Sequence, residues 1–389
     1  MTGGQPPAPQ LLVGARLVTP RHGVTAGWLA ISDGRIDALG HGAPPDSAEG
    51  PVLDLGGRLL VPGFVDPHCH GGAGHSVYTG DPADVRAATA GHLARGTTTM
   101  LASVATTAPP AMEAAARAVA EVIEDGSAPS LAGIHFEGPF LSPERRGAQT
   151  RDALRTPDRA VLARLLAAAG GHARSMTVAP ELPGAVELIR EHADDLLFCL
   201  GHSDATAEQF GRAAAAGARA VTHLFNAMPP LHHREPGPAA AALLDPRLSC
   251  ELILDGHHLA DDTVRLAHRT AGADRLLLVS DAMPAAGLSD GTYRFADREV
   301  TVTDGVARLR GTDTLAGSTL FVADAFRRAV LGIGLPLADA VRMATTNAAR
   351  LLRLTDRGAL LPGLRADLVS LDAELRPDRV WLAGESVHL

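Results

Sequence analysis

The sequence predicts an α/β protein, a (β/α)8 TIM-like barrel with a small β-sandwich domain built from both chain ends. Through the middle of the chain, apolar segments of β type alternate with alanine-rich segments of helical period. Eight strand candidates of this kind occur over roughly 290 residues, and barrels of this class typically need about 250. Both ends of the chain instead carry short apolar runs broken by glycine and proline, which is typical of β-hairpins.

Both terminal segments of the chain have the pattern of β-hairpins. An Asp33-Gly34 pair separates two apolar runs near the start of the chain and predicts a hairpin turn. Residues 366–371 and 380–384 near the other end have the same character. We therefore predict one β-sandwich domain from residues 1–60 plus 359–389, and a catalytic barrel from residues 61–358.

The barrel strands and helices follow from the alternation. The predicted strands are 60–66, 97–104, 131–137, 175–179, 196–201, 218–223, 249–254 and 276–281. The clearest helical segments are 82–94, 109–124 and 205–216, with closing helices at 318–332 and 337–352. An open doubly wound sheet is the alternative, but no Gly-x-Gly-x-x-Gly motif follows the first strand.

Composition narrows the class of protein. A chain of 389 residues with 46% hydrophobic residues can bury a large core. The net charge of -9 argues against nucleic acid or an anionic membrane surface as a partner. The first ten residues lack a basic segment followed by an apolar one, and later apolar runs are too short or interrupted to span a bilayer. We therefore expect a cytoplasmic protein.

The basic and sulfur-containing residues exclude several kinds of site. All 35 basic residues are arginine, which excludes a Schiff-base lysine, a phosphate-binding lysine and a carboxylated lysine that bridges metals. A bridging ligand must then be Asp or Glu. The three scattered cysteines are too few for a disulfide framework or a cysteine zinc site.

Two histidines at the end of the first predicted barrel strand indicate a metal site. His68 and His70 are separated by one residue, so an extended backbone points both imidazoles to the same side. Imidazole pairs of this kind suit zinc or a similar divalent ion. Two ligands do not complete a site, so the others must come from distant parts of the chain.

Four more polar residues end predicted barrel strands: Glu137, His202, His223 and Asp281. In a barrel, the carboxyl ends of all strands meet at one mouth, so we expect these side chains to converge with the histidine pair. Neutral imidazoles and a carboxylate hold a divalent ion with an open position, and such an ion lowers the pKa of a bound water to about 7. The pattern therefore predicts metal-assisted hydrolysis, with Asp281 as the acid/base that transfers the proton.

With these residues in place, the sequence resembles the amidohydrolase superfamily and, within it, the family of N-acetylglucosamine-6-phosphate deacetylases. The resemblance covers nearly the whole chain. Its motifs are residues 62–66 (PGFVD) with the His-x-His pair, 133–140 (GIHFEGPF), 201–205 (GHSDA), 222–228 (THLFNAM), 281–283 (DAM) and 315–318 (LAGS). The resemblance implies a barrel with a split β-sandwich domain, usually dimeric.

The resemblance also implies ligands. Glu137, His202 and His223 match the ligands of one catalytic metal, while His68 and His70 match the pair that holds a second metal with the glutamate bridging. One or two divalent ions per subunit are expected, zinc first, with iron or manganese accepted by the same ligands. Asp281 matches the catalytic acid/base.

The residues implied to bind the sugar phosphate are Ala148, Asn226, Ala227, Arg234, His258, Leu315, Ala316 and Gly317. In a homodimer, Arg234 matches an arginine that reaches the phosphate in the neighbouring active site. An arginine offers a planar fork to a phosphate dianion. Only one of His257 and His258 is expected to face the site, because adjacent side chains diverge.

One position departs from the family pattern. Family members usually read Lys-Gly-Ala-His where this chain has Arg146-Gly147-Ala148-Gln149, and that histidine is thought to polarise the substrate amide. Glutamine donates a hydrogen bond but carries no charge.

Taken together, the motifs predict deacetylation of N-acetylglucosamine 6-phosphate to glucosamine 6-phosphate and acetate. The alternatives are another acylated amino-sugar phosphate as substrate, or a non-catalytic paralogue that only binds sugar phosphate.

Overall fold

The computed structural model describes residues 9–19, 23–46 and 50–387. Its strands are β1 (Gln10–Thr19), β2 (Gly23–Ser32), β3 (Arg35–His41), β4 (Val52–Asp54), β5 (Leu59–Pro62), β6 (Phe64–Asp66), β7 (Gly71–Gly72), β8 (His75–Ser76), β9 (Thr97–Ala105), β10 (Leu131–Glu137), β11 (Ala173–Val178), β12 (Leu197–Leu200), β13 (Ala220–Val221), β14 (Ser249–Ile253), β15 (Leu276–Val279), β16 (Gly291–Phe295), β17 (Arg298–Thr303), β18 (Val306–Leu309), β19 (Leu368–Leu371), β20 (Pro377–Leu382) and β21 (Glu385–Val387). Its α-helices are α1 (Pro82–Leu93), α2 (Pro109–Glu124), α3 (Arg159–Ala168), α4 (Ala185–His192), α5 (Ala207–Ala216), α6 (Gly237–Leu244), α7 (Asp261–Ala271), α8 (Val322–Arg327), α9 (Leu337–Ala344) and α10 (Thr346–Leu351).

The middle of the chain forms the predicted barrel. Within the described ranges, eight parallel strands neighbour one another in the order β15-β14-β13-β12-β11-β10-β9-β6, and every predicted barrel strand overlaps one of them. Beyond β6 and β15, the backbone N–H of Asp281 donates to the His68 carbonyl at 2.9 Å, which joins the first and last strand ends. This sequential parallel order excludes the doubly wound alternative, whose strand order reverses.

Strands from both chain ends form the second large sheet. Its order is β21-β20-β19-β5-β1-β2-β3, with β4 paired to β1. Leu12, Leu29 and Trp381 pack in its core. The predicted fold class is thus confirmed, a barrel with a β domain built from both ends. The boundaries 1–60 plus 359–389 and 61–358 stay predictions, and residues 1–8, 20–22, 47–49 and 388–389 lie outside the described residues.

Two closing segments differ from the predicted single helices. Residues 337–352 form α9 and α10 with a break at Thr345, whose backbone leaves the helical region at φ -139° and ψ -82°. The Thr345 hydroxyl donates to the Val341 carbonyl at 2.6 Å, a side-chain bond that competes with the helical pattern. Residues 318–332 begin irregularly, form α8 and end in a π-helical turn over Arg328–Gly332.

Two further features complete the architecture. Strands β16–β18 form a small antiparallel sheet that the sequence reasoning did not predict, and Phe295 at the end of β16 packs against His70 with ring centroids 5.1 Å apart. In the described part of the chain, no helix combines the length and apolar character required to cross a bilayer.

Candidate active site

The residues predicted at the barrel mouth converge on one centre. They are His68, His70, Glu137, His202, His223 and Asp281. The Glu137 carboxylate lies between the others, and it is 2% exposed. Five strands therefore deliver their terminal residues to one point, as the strand-end rule predicts.

The first half of the centre contains the histidine pair. The Nε2 atoms of His68 and His70 lie 3.2 Å apart. His68 Nε2 is 3.4 Å from Glu137 Oε1, and His70 Nε2 is 3.2 Å from Glu137 Oε2. Asp281 Oδ1 lies 3.5 Å from the first ring and 3.4 Å from the second. The one-residue spacing has thus placed both imidazoles on the same side.

The second half shares the Glu137 carboxylate. Its Oε1 atom lies 3.0 Å from His202 Nε2 and 3.3 Å from His223 Nε2. The two Nε2 atoms are 3.0 Å apart. Glu137 therefore contributes to two groups of three side chains, each compact enough to surround one ion.

Hydrogen bonds on the far side of two rings test whether a cation fits. His70 Nδ1 donates to the Ser103 carbonyl, and His202 Nδ1 donates to the Arg145 carbonyl, both at 2.9 Å. A neutral imidazole that donates from Nδ1 carries its lone pair on Nε2. These lone pairs point at the oxygens of Glu137, which are also acceptors. A cation must lie between such groups, and a donor set of imidazole and carboxylate suits a divalent ion.

The electrostatics of the cluster also favour a cation beside Glu137. Burial lowers the pKa of His70, but Asp281 and Glu137 outweigh it and raise that pKa to about 9. Burial raises the pKa of Glu137, but the facing imidazoles, His202 foremost, hold it well below its ordinary range. Glu137 thus stays ionised beside the imidazoles, as a carboxylate ligand of a divalent ion must.

The turns after the strands hold several of these residues in an unusual backbone conformation. His202, His223 and Asp281 have φ values of 47°, 29° and 46°. Non-glycine residues seldom adopt the left-handed region, and such conformations concentrate at functional sites. Asp66 Oδ1 reinforces the arrangement by accepting from the backbone N–H groups of His68 at 3.3 Å and Ser280 at 3.2 Å.

A cavity of about 320 Å³ opens beside the centre. The predicted substrate residues that line it are Ala148, Asn226, Ala227, His258, Leu315 and Gly317. Gln149, Ile253, Phe295, Asp313 and Thr314 also line it. His258 faces the cavity with Nδ1 held by Asp255 at 2.6 Å, while the adjacent His257 is exposed. Of this pair, His258 is the one among the residues that line the cavity.

Two predicted substrate residues lie elsewhere. Ala316 is fully buried and packs in an apolar cluster with Met283 instead of lining the cavity. Arg234 lies in an exposed loop, where its Nη1 contacts His233 Nε2 at 2.7 Å. The single subunit therefore does not bring Arg234 to its own cavity.

Gln149 lies inside the centre. Its side-chain oxygen accepts from the Thr106 backbone N–H at 2.8 Å, and its amide nitrogen donates to Glu137 Oε2. The residue is 2% exposed. Its contact is therefore with the shared carboxylate of the two groups.

Sequence reasoning missed one buried acid beside the centre. Glu251 Oε2 lies 2.9 Å from His68 Nδ1, on the side of the ring that faces away from Glu137. Its signal was present, because a glutamate interrupts the apolar segment Ser249–Ile253. A charged residue in the middle of a buried strand needs a partner, so it indicates a polar contact at that depth.

A parallel barrel with imidazoles and carboxylates at its mouth defines the class of metal-assisted barrel hydrolases. A profile of the Amidohydrolase family matches residues 59–387. Residues 59–387 include every side chain of the centre. The chain therefore belongs to the amidohydrolase family, which implies a divalent metal.

Individual relatives cover almost the whole chain. An N-acetylgalactosamine-6-phosphate deacetylase of Escherichia coli O157:H7 is 36% identical over 95% of this chain and 97% of its own length. An N-acetylglucosamine-6-phosphate deacetylase of Lysinibacillus sphaericus is 35% identical over 92% of each chain. A solved structure of a Mycobacterium smegmatis N-acetyl-D-glucosamine-6-phosphate deacetylase variant in complex with N-acetyl-D-glucosamine-6-phosphate is 40% identical, with a TM-score of 0.92 over 98% of this chain and 99% of that one.

Proposed function

We propose that this chain is a metal-dependent deacetylase that hydrolyses N-acetylglucosamine 6-phosphate to glucosamine 6-phosphate and acetate, in amino-sugar catabolism and recycling. The observation that carries the proposal is the convergence of two three-residue groups on Glu137 beside a cavity of about 320 Å³. Similar proteins named for this reaction support the choice of substrate. The cytoplasmic location predicted from the sequence remains part of the proposal.

The metal would be held by two sets of side chains that share the glutamate. His202, His223 and Glu137 form one set, and His68, His70 and Glu137 form the other. We propose zinc, with iron or manganese as the other metals that suit these ligands. A divalent ion held by these side chains would supply the Lewis acidity that activates water and polarises the amide carbonyl.

Asp281 is the residue that moves the proton. It lines the cavity, and its Oδ1 lies 3.4 Å from His70 Nε2. Burial raises its pKa, but His68 and His70 outweigh this and leave the pKa below its ordinary value. Asp281 is therefore ionised and ready to accept a proton from water, and it returns this proton to the departing amine of glucosamine 6-phosphate. Water is consumed, the amide C–N bond breaks, and acetate leaves.

The cavity residues orient the sugar. Asn226, Ala227, His258, Leu315 and Gly317 all line the cavity. We further propose a homodimer in which Arg234 binds the phosphate in the partner subunit's cavity. Its position in an exposed loop, away from its own cavity, supports this assignment.

N-Acetylgalactosamine 6-phosphate is a second candidate substrate. Relatives named for it, at 36% identity, are as similar to this chain as those named for the glucosamine derivative. The two sugars differ only in the configuration at C4, so the same metal centre serves both. A sugar-phosphate-binding paralogue without catalysis is less consistent with the complete set of ligand side chains and with Asp281 beside them.

Acetate release by metal-reconstituted protein tests the proposal. Four substrates are compared: the 6-phosphates of N-acetylglucosamine and N-acetylgalactosamine, and the two unphosphorylated sugars. A higher kcat/KM for N-acetylglucosamine 6-phosphate than for the other three supports the first proposal. A preference for the galactosamine derivative selects the second candidate, and no release from any of the four overturns both.

A further inference from the structure

Glu251 is a carboxylate buried inside an apolar strand. It is 2% exposed, and its neighbours Cys250, Leu252 and Ile253 on β14 are fully buried. Burying a carboxylate is strongly unfavourable unless charges or hydrogen bonds compensate for it. In the described part of the chain, the partners of its side chain are the imidazole of His68 and the backbone N–H of His223. A charge kept at this cost and paired in this way indicates a role at the metal centre.

We propose that Glu251 is a positioning residue, one that fixes the His68 ring as a ligand and so enables the His68–His70–Glu137 group to hold an ion of its own. Oε2 of Glu251 lies 2.9 Å from His68 Nδ1. Donation from Nδ1 to this carboxylate leaves the lone pair on Nε2. That Nε2 atom is the one that faces Glu137 at 3.4 Å and His70 at 3.2 Å.

The same oxygen also reaches the other half of the centre. The backbone N–H of His223 donates to Glu251 Oε2 at 3.2 Å. His223 is held at a φ of 29°, outside the usual region for its residue type, and a bond to its N–H opposes relaxation. One buried oxygen thus fixes a ring from the first group and the backbone of a ring from the second. The inference rests on the proposed metal centre.

The two groups depend on Glu251 to different degrees. His68 is attached through its ring, whereas His223 is attached only through its backbone and belongs to the His202 group, which keeps its own contacts to Glu137. Removing the carboxylate therefore weakens the first group more. Losing a partner of a ligating imidazole typically costs ten- to a hundred-fold in metal affinity.

The experiment measures bound zinc per subunit, by elemental analysis after equilibration with a graded series of chelator concentrations. Wild-type protein is expected to bind two ions. Glu251→Ala should lose one of them at a free chelator concentration ten- to a hundred-fold lower than the one that removes it from wild type. Glu251→Gln keeps an acceptor for His68 without the charge, so its affinity should fall between the two. Cys250→Ala is the matched control, because Cys250 lies on the same strand with Sγ directed at Ala242, away from the centre.

Four results would overturn the role proposed for Glu251. Two ions bound equally tightly by wild type and by Glu251→Ala overturn the proposal, as does a wild type that binds only one. An equal loss in Cys250→Ala overturns it too, because strand packing would then be the cause. If Glu251→Ala does not fold, unchanged affinity for both ions in Glu251→Gln overturns it. The deacetylase proposal fails by a different measurement: wild-type protein that carries two ions would release no acetate.

Discussion

The side-chain amide of Gln149 donates to Oε2 of Glu137, the carboxylate shared by both candidate metal groups. Its other polar atom accepts from the Thr106 backbone N–H at 2.8 Å. Both polar atoms of the glutamine that replaces the family histidine are therefore hydrogen-bonded, and one of them stabilises the shared carboxylate. Two roles are therefore open to Gln149: to polarise the substrate amide, as the family histidine is thought to do, and to hold the Glu137 carboxylate through a hydrogen bond.

Substitution of Gln149 tests both roles. Gln149→Ala removes a hydrogen bond to a charged group, worth about 1.5–3 kcal/mol, so kcat should fall roughly ten- to a hundred-fold. Gln149→His should raise kcat above wild type if a protonatable side chain here polarises the amide. Steady-state acetate release measures both. The exposed neighbouring change Arg151→Ala is the control, and an unchanged kcat in Gln149→Ala would show that the contact has no catalytic consequence.

Asp281→Asn should preserve the fold and bound metal but lower kcat by about a hundred- to ten-thousand-fold. Asparagine keeps the size of the side chain and its contact with the imidazoles but cannot accept a proton. Metal content and acetate release are measured on the same samples, with Asp304→Asn in the distant β17–β18 turn as the control. Turnover within ten-fold of wild type would remove Asp281 from the role of acid/base.

Arg234→Ala should raise KM for the phosphorylated sugar much more than it lowers kcat, because a guanidinium that binds phosphate contributes mainly to substrate binding. Mixing subunits tests whether it acts across a dimer. At a substrate concentration far below KM, Arg234→Ala and Asp281→Asn proteins should each be weakly active, and reassembly one to one should restore up to about a quarter of wild-type activity, because half the dimers are hybrids with one complete site. Arg247→Ala mixed in the same way is the control. No gain on mixing would contradict a contribution from the partner subunit.

The buried His92 predicts how stability depends on pH. Burial lowers its pKa to about 4, whereas an unfolded histidine has a pKa of about 6.5. As the pH falls, the unfolded state therefore takes up a proton on this histidine before the folded state does. The stability that neutral His92 contributes is fully present above about pH 6.5 and is lost progressively as the pH falls to about 4. The expected loss is on the order of 3 kcal/mol relative to His92→Gln.

Urea unfolding of metal-free protein between pH 4.5 and 7 measures this difference. Glutamine retains a donor for the Gly71 carbonyl, which His92 Nε2 contacts at 2.9 Å, but does not titrate. Wild type should lose stability more steeply than His92→Gln as the pH falls. The exposed change His257→Gln should keep the wild-type slope, and parallel curves for wild type and His92→Gln would contradict the prediction.

The barrel and the ligand positions were predictable because they follow simple rules. Strand periodicity locates β10, for example, with the predicted bounds, and the rule that strand ends share one mouth brings Glu137 and Asp281 together. Other features depend on which buried side chains meet in the folded protein. Glu251 is visible as a charge within an apolar strand, but its partner His68 lies 183 residues away.

The remaining misses have local causes. The helical period runs unbroken through residues 337–352, yet the Thr345 side chain bonds to the Val341 carbonyl where the chain turns. Strands β16 and β17 largely alternate exposed and buried residues, but they lie between the eighth barrel strand and the first predicted closing helix, a stretch for which no element was predicted. The assignment of Arg234 to the phosphate in the partner subunit's cavity stays a prediction, because it depends on contacts between two chains.

The join between the first and last barrel strands also sets the order of folding. The hydroxyl of Ser280 reaches the carbonyl of His68 across 212 residues of sequence. Contacts of such long range form slowly, because closing a long loop costs chain entropy before any interaction compensates for it. Neither histidine of the pair can meet Asp281 until β15 has been synthesised and docked. A ribosome-bound chain that ends before β15 therefore contains the residues of both groups that share Glu137 but lacks Asp281, so the proposed acid/base joins the centre only when the barrel closes.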